Sequence, residues 1–122
     1  MRRSSLSSSI LFMVVLLTSL TPGEVSAHAE LDHAEPRVGN KVASPPREVT
    51  LWFTQKLEAA FSSISVTGPS GQRVDAGKAR VSGNQMSVSL KAAGAGTYHV
   101  NWRVLSVDTH TTDGSFTFQV GP

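Results

Sequence analysis

The 122-residue sequence predicts an all-β domain, an antiparallel sandwich or barrel of the immunoglobulin-like kind, behind a cleavable leader. Three observations carry the fold class. Five short runs alternate apolar and polar residues with period two, the mark of strands buried on one face. Breakers rich in Gly, Pro, Asn and Asp separate those runs. No long window carries a helical period.

The leader comes first. Arg2 and Arg3 are followed by the apolar run ILFMVVLLTSL, then by Pro22 and Gly23, then by the small residues of Val25-Ser26-Ala27. A basic start, an apolar stretch and a small-residue cleavage site are the three parts of a secretory signal. A spanning helix needs about 20 apolar residues, and this run falls well short. Residues 1–27 are therefore expected to be removed. Residues 28–122 then form a single domain whose first residue is His28.

The strands follow in order. Val49, Leu51 and Phe53 alternate with Thr50, Trp52 and Thr54. Ile64 and Val66 alternate with Ser63, Ser65 and Thr67. Met86, Val88 and Leu90 alternate with Ser87 and Ser89. Tyr98, Val100, Trp102 and Val104 alternate with His99, Asn101, Arg103 and Leu105. Phe116, Phe118 and Val120 alternate with Ser115, Thr117 and Gln119. Between them stand Ser44-Pro45-Pro46, Gly68-Pro69-Ser70-Gly71, Gly83-Asn84, Gly94-Ala95-Gly96 and Asp113-Gly114. By parity Tyr98, Trp102 and Met86 point into the core and His99 points out.

Removing 27 of 122 residues leaves 95, enough for one core. Of the 11 basic and 9 acidic residues, Arg2, Arg3 and Glu24 leave with the signal, so the mature chain is close to neutral. No stretch has the basic density of a nucleic-acid or membrane-surface binder. Cysteine is absent, which excludes disulfides, thiolate metal sites and thiol catalysis.

Three of the four histidines fall in SAHAELDH, residues 26–33, and SVDTH, residues 106–110. Asp108 and His110 are two apart, so in extended backbone both side chains share a face. They sit where an apolar strand ends and a Thr111-Thr112-Asp113-Gly114 turn is expected. Alone, Asp-x-His fits an ordinary turn as well as a metal site. A freed His28 adds an α-amine and a ring Nδ1 spaced to close a chelate ring. With Asp108 and His110, three nitrogens and one oxygen become available. Such donors in tetragonal geometry suit Cu(II), which tops the affinity order for these ligands; Zn(II) favours tetrahedral sites. Soft Cu(I) would seek sulfur, and Met86 is the only methionine left after cleavage.

The Glu35-Pro36 turn, VTLWFTQKLEAAFSSISV and above all GTYHVNWRVLSVDTHTTDGSFTFQV, together with His28 behind a signal, resemble the CopC/PcoC family of periplasmic copper-resistance proteins. The resemblance covers the whole mature chain. It implies a Greek-key β-sandwich or flattened barrel, chain ends that meet in space, and one Cu(II) ion per chain held by His28, Asp108 and His110 with the terminal amine. It also implies a membrane copper-transport protein of the CopD type as recipient.

Two departures stand out. Some members carry a Met-rich mid-chain loop for Cu(I), but residues 67–85 contain no methionine, so no Cu(I) site is expected. Many members have Phe-Ser-Glu near the copper where this chain has Phe53-Thr54-Gln55, and neutral Gln55 offers hydrogen bonds but no carboxylate. In an extended first strand Asp32 shares a face with His28 and could replace that carboxylate, although a solvated charge is the simpler reading. His33 points the other way and is expected at the surface.

The sequence therefore points to a monomeric periplasmic Cu(II) carrier or buffer, not an enzyme, binding no nucleic acid and not itself spanning the membrane. Two other classes compete. A small oxidoreductase with an N-terminal histidine brace would show copper-dependent peroxide chemistry with ascorbate. An immunoglobulin-like interaction module with incidental histidines would bind no metal tightly. In the carrier reading the amine and imidazoles must lose protons before binding, so uptake releases protons and weakens in acid.

Overall fold

The computed structural model describes residues 29–122. The expected leader, residues 1–27, and His28 lie outside the described residues. Eight strands follow in order: β1 (Leu31–Glu35), β2 (Lys41–Val42), β3 (Glu48–Phe53), β4 (Ser63–Thr67), β5 (Asp75–Ser82), β6 (Gln85–Leu90), β7 (Gly96–Leu105) and β8 (Thr111–Val120). A 3-10 turn, Ala59–Phe61, precedes β4. Among the described residues no helix is long and apolar enough to cross a membrane.

The strands form two four-stranded sheets, β1-β3-β6-β5 and β2-β8-β7-β4. They do not close on one another, so the architecture is a sandwich and not a barrel. The pairing of β3 with β6 and of β4 with β7 skips intervening strands, as Greek-key connections do. One pair departs from the antiparallel expectation: β2 runs parallel to β8, Lys41 opposite Gln119 and Val42 opposite Val120.

Alternation supplies the core. Val49, Leu51, Phe53, Met86 and Val88 from one sheet meet Ile64, Val66, Tyr98, Val100, Val104, Phe116 and Phe118 from the other, all buried. Tyr98 stacks on Phe118 with ring centres 5.1 Å apart, a contact worth about 1 kcal/mol beyond its burial. Its hydroxyl donates to the Gly94 carbonyl at 2.6 Å, so the polar end is satisfied.

Two stretches differ from their sequence expectation. β5 lies inside what reads as a mid-chain loop. Its Asp-Ala-Gly-Lys start has no alternation, because β5 is an edge strand whose register shifts between Ala76 and Arg80. A shifted register and the exposed Lys78 and Arg80 blunt the edge against further pairing. The second correction concerns Thr111-Thr112-Asp113-Gly114, which is not a turn but the start of β8. Gly114 sits directly opposite Trp102. A Cβ at Gly114 would stand 2.5 Å from Trp102 Cζ2, so glycine there makes room for the indole. Trp102 is half-buried rather than a full core residue, packed edge-on against Phe53 at 5.0 Å.

Candidate metal centre

The reversal between β7 and β8 is the five-residue loop Ser106–His110. Asp108 and His110 therefore share a side by turn geometry, not by the strand parity expected from the sequence. Thr109, between them, has φ +72°. A threonine in that region costs on the order of 1–3 kcal/mol and persists only where its surroundings enforce it. Here the Thr109 amide donates to the Ser106 carbonyl at 2.8 Å, and the Ser106 amide donates to the His110 carbonyl at 3.0 Å.

Within this loop Asp108 Oδ1 lies 3.5 Å from His110 Nδ1, and both side chains are partly exposed. Beneath them Ser106 is fully buried. Its hydroxyl donates to Asp108 Oδ1, and the His110 amide reaches the same hydroxyl oxygen at 3.4 Å. The Ser106 hydrogen bond holds the Asp108 carboxyl below the usual carboxylate range, with His110 adding to the effect and desolvation opposing it.

Two tethers fix the loop to its surroundings. The Val107 amide donates to the Lys56 carbonyl at 3.0 Å, and the Glu58 amide to the Leu105 carbonyl at 2.8 Å. The start of the described chain reaches the same end. Thr112 Oγ1 donates to the Ala29 carbonyl at 2.6 Å. The Glu30 amide donates to Thr54 Oγ1 and the Thr54 amide to the Glu30 carbonyl, both at 2.9 Å. The residue bonded to His28 is thereby held between the end of β3 and the start of β8.

Asp108 and His110 supply two donors. Among the described residues no group of three or more His, Cys, Asp or Glu is placed to hold a metal ion. Asp32 does not join them. The register of β1 against β3 shifts between Leu31 and His33, which breaks the parity expected of an extended first strand. Asp32 instead accepts from His33 Nδ1 at 2.7 Å, and the His33 ring stacks on Trp52 at 4.4 Å. His33 is a surface residue, as expected, and so is His99 on the outward face of β7. Gln55 lines an open hollow of about 470 Å³ with Thr54, Lys56, Gly83, Asn84 and Val107, beside the loop. Met86 lies wholly within the core.

Sequence reasoning passed over Ser106, Thr109 and Thr112. Ser106 had a visible signal, as a serine two before Asp108 and four before His110. Thr109 and Thr112 had none, because a left-handed threonine and an 83-residue tether leave no local pattern.

Comparison with known proteins places these features in a family context. A family model described as the CopC domain matches residues 31–121. The chain is 37% identical over 112 residues to Protein YobA of Escherichia coli strain K12, spanning 88% of this chain and 90% of the relative. Its structure is similar to that of CopC from Methylosinus trichosporium OB3b, with a TM-score of 0.72 and 33% identity, over 78% of this chain and 95% of that one. It is also similar to PcoC, a methionine-rich copper resistance protein from Escherichia coli, with a TM-score of 0.67 and 33% identity, over 77% and 99% of the two chains.

Proposed function

The chain belongs to the CopC domain family, and from that premise we propose that it is a periplasmic protein that binds one Cu(II) ion and passes it on. In this reading residues 1–27 are a cleaved signal and residues 28–122 a single copper-binding β domain. The ligands are the α-amine and ring of His28, the Asp108 carboxylate and the His110 imidazole. The recipient is a membrane copper-transport protein of the CopD type, and the carrier acts as a monomer without enzymatic turnover.

One observation supports the reading most. The Ala29 carbonyl is bonded to Thr112, two residues beyond His110. That bond ties the residue that follows His28 in the chain to the strand that leaves the Asp108–His110 loop. The donor chemistry agrees, since nitrogen and carboxylate oxygen without sulfur suit Cu(II) better than Cu(I). The pair is partly exposed, as a cargo site must be if another protein is to take the ion.

The test compares protein beginning at His28 with protein carrying one extra residue before it. Each is titrated with Cu(II) against a chelator and examined by electron paramagnetic resonance. The His28 form is expected to bind one equivalent, and the extended form to bind more weakly with an altered spectrum. Equal spectra and equal affinity remove the amine from the site, and failure of both to compete with a modest chelator removes copper.

A further inference from the structure

The buried hydroxyl of Ser106 has more to do than close a turn. Ser106 is 0% exposed and is one of only two buried polar side chains among the described residues. Burying a hydroxyl is unfavourable unless it is hydrogen-bonded. A serine hydroxyl has a single proton to donate, and here it goes to Asp108 Oδ1. The oxygen then stands 3.4 Å from the His110 amide and 3.2 Å from the His110 carbonyl. One hydroxyl therefore fixes the carboxylate that lies 3.5 Å from the His110 ring, and meets the backbone that carries that ring.

The surroundings make this a rigid mount. Ser106 forms an antiparallel bridge with Leu57, and its neighbours Leu105 and Val107 are each tied by a backbone hydrogen bond to the segment around Leu57. The hydroxyl is thus fixed to the core on one side and presents its proton to Asp108 on the other. A free carboxylate rotates about two torsions. With one oxygen held by Ser106, the aspartate enters a metal's coordination sphere without first losing that freedom.

Resting on the copper reading above, we infer that Ser106 is a positioning residue for Cu(II) uptake, acting by presetting the Asp108 carboxylate through its hydroxyl. Hydrogen-bond partners that orient metal ligands are commonly worth about 10- to 100-fold in affinity.

The experiment uses Cu(II) alone, with protein beginning at His28, in a double-mutant cycle. Ser106→Ala is expected to weaken Cu(II) binding about 10-fold or more and to shift the electron paramagnetic resonance spectrum. In an Asp108→Ala background the same change is expected to cost less than about 2-fold, because the group it positions has gone. Ser106→Thr, which keeps the hydroxyl, is expected to retain the wild-type spectrum. An unchanged affinity in Ser106→Ala, an equal loss in both backgrounds, or a shifted spectrum in Ser106→Thr overturns the assignment. A wild-type protein that loses Cu(II) to the chelator instead overturns the copper reading itself, which separates the two failures.

Discussion

The Thr112 hydroxyl donates a 2.6 Å hydrogen bond to the carbonyl of Ala29, across 83 residues of sequence. Thr112 is the second residue of the last strand, which directly follows the loop that carries Asp108 and His110, and Ala29 begins the described chain. The bond therefore joins the start of the described chain to the strand that leaves the loop in which Asp108 faces His110. Neither Ala29 nor Thr112 has a metal-binding group. In the proposed carrier their contribution is to restrain the chain beside His28, which would otherwise have to be ordered at the moment of binding.

Thr112→Val keeps the β-branched shape and deletes the donor. The lost hydrogen bond should lower stability by only about 1 kcal/mol, read as a small fall in the thermal midpoint of the metal-free protein. If Ala29 and Thr112 support the proposed ligand set, Cu(II) affinity should fall further, by about 10-fold. Chelator competition measures it, and an affinity equal to wild type would show that the tether does not serve the site.

In the proposed site His110→Ala removes a nitrogen donor and should reduce Cu(II) affinity by at least about 100-fold, with Asp108→Ala weaker in effect because oxygen is the poorer donor for Cu(II). His99→Ala is the control. His99 sits opposite Thr67 and Thr117 on the outer face of β7, away from the loop, and its loss should change affinity by less than about 2-fold. Comparable damage from His99→Ala and His110→Ala would move the site elsewhere.

How much of this was readable beforehand depends on whether a feature is periodic. β3, β4, β6 and β7 announced themselves because each buries one face, and period two survives in their sequences. β5 was hidden because an edge strand with a shifted register has no reason to alternate. The Asp113-Gly114 pair read as a turn because glycine in a sequence carries no mark of which need it serves. Here that need is the Trp102 indole facing it. Asp108 and His110 meet not through strand parity, as their spacing suggests, but through a loop with Thr109 at φ +72°. Ser106 and Thr112 act through single hydroxyls on partners set by the tertiary fold, which no local spacing records.

Gly114→Ala tests the strand assignment. A methyl 2.5 Å from Trp102 Cζ2 forces the indole, and with it the Phe53 contact, to move. Overpacking of this kind costs about 1–3 kcal/mol, so the thermal midpoint should drop by several degrees and Trp fluorescence should change. If Asp113-Gly114 were a solvent-exposed turn, the substitution would leave the fluorescence unaltered.

Arg73 grips Asp75 with two 2.7 Å hydrogen bonds, Nε to Oδ1 and Nη2 to Oδ2. The Val66 amide donates to the same Oδ1 at 2.9 Å. The Val66 bond ties the start of β5, in one sheet, to β4 at the edge of the other, and the Arg73 pair holds the same carboxylate. The Arg73 guanidinium holds the Asp75 carboxyl below the usual carboxylate range, against the opposing effect of burial. A depressed carboxylate contributes stability that is fully present above its unfolded value, near pH 3.9, and is lost as pH falls through the lower folded value. The metal-free protein should therefore lose stability from about pH 4 downward. Asp75→Asn removes the charge and should lower the midpoint at neutral pH by about 5 °C, the effect of one charge-assisted hydrogen bond in a domain this size. It should also flatten the acid limb, since nothing at that position then titrates. Thermal unfolding of both proteins from pH 7 to pH 3 decides the matter: parallel curves across that range would mean that Asp75 does not couple folding to protonation.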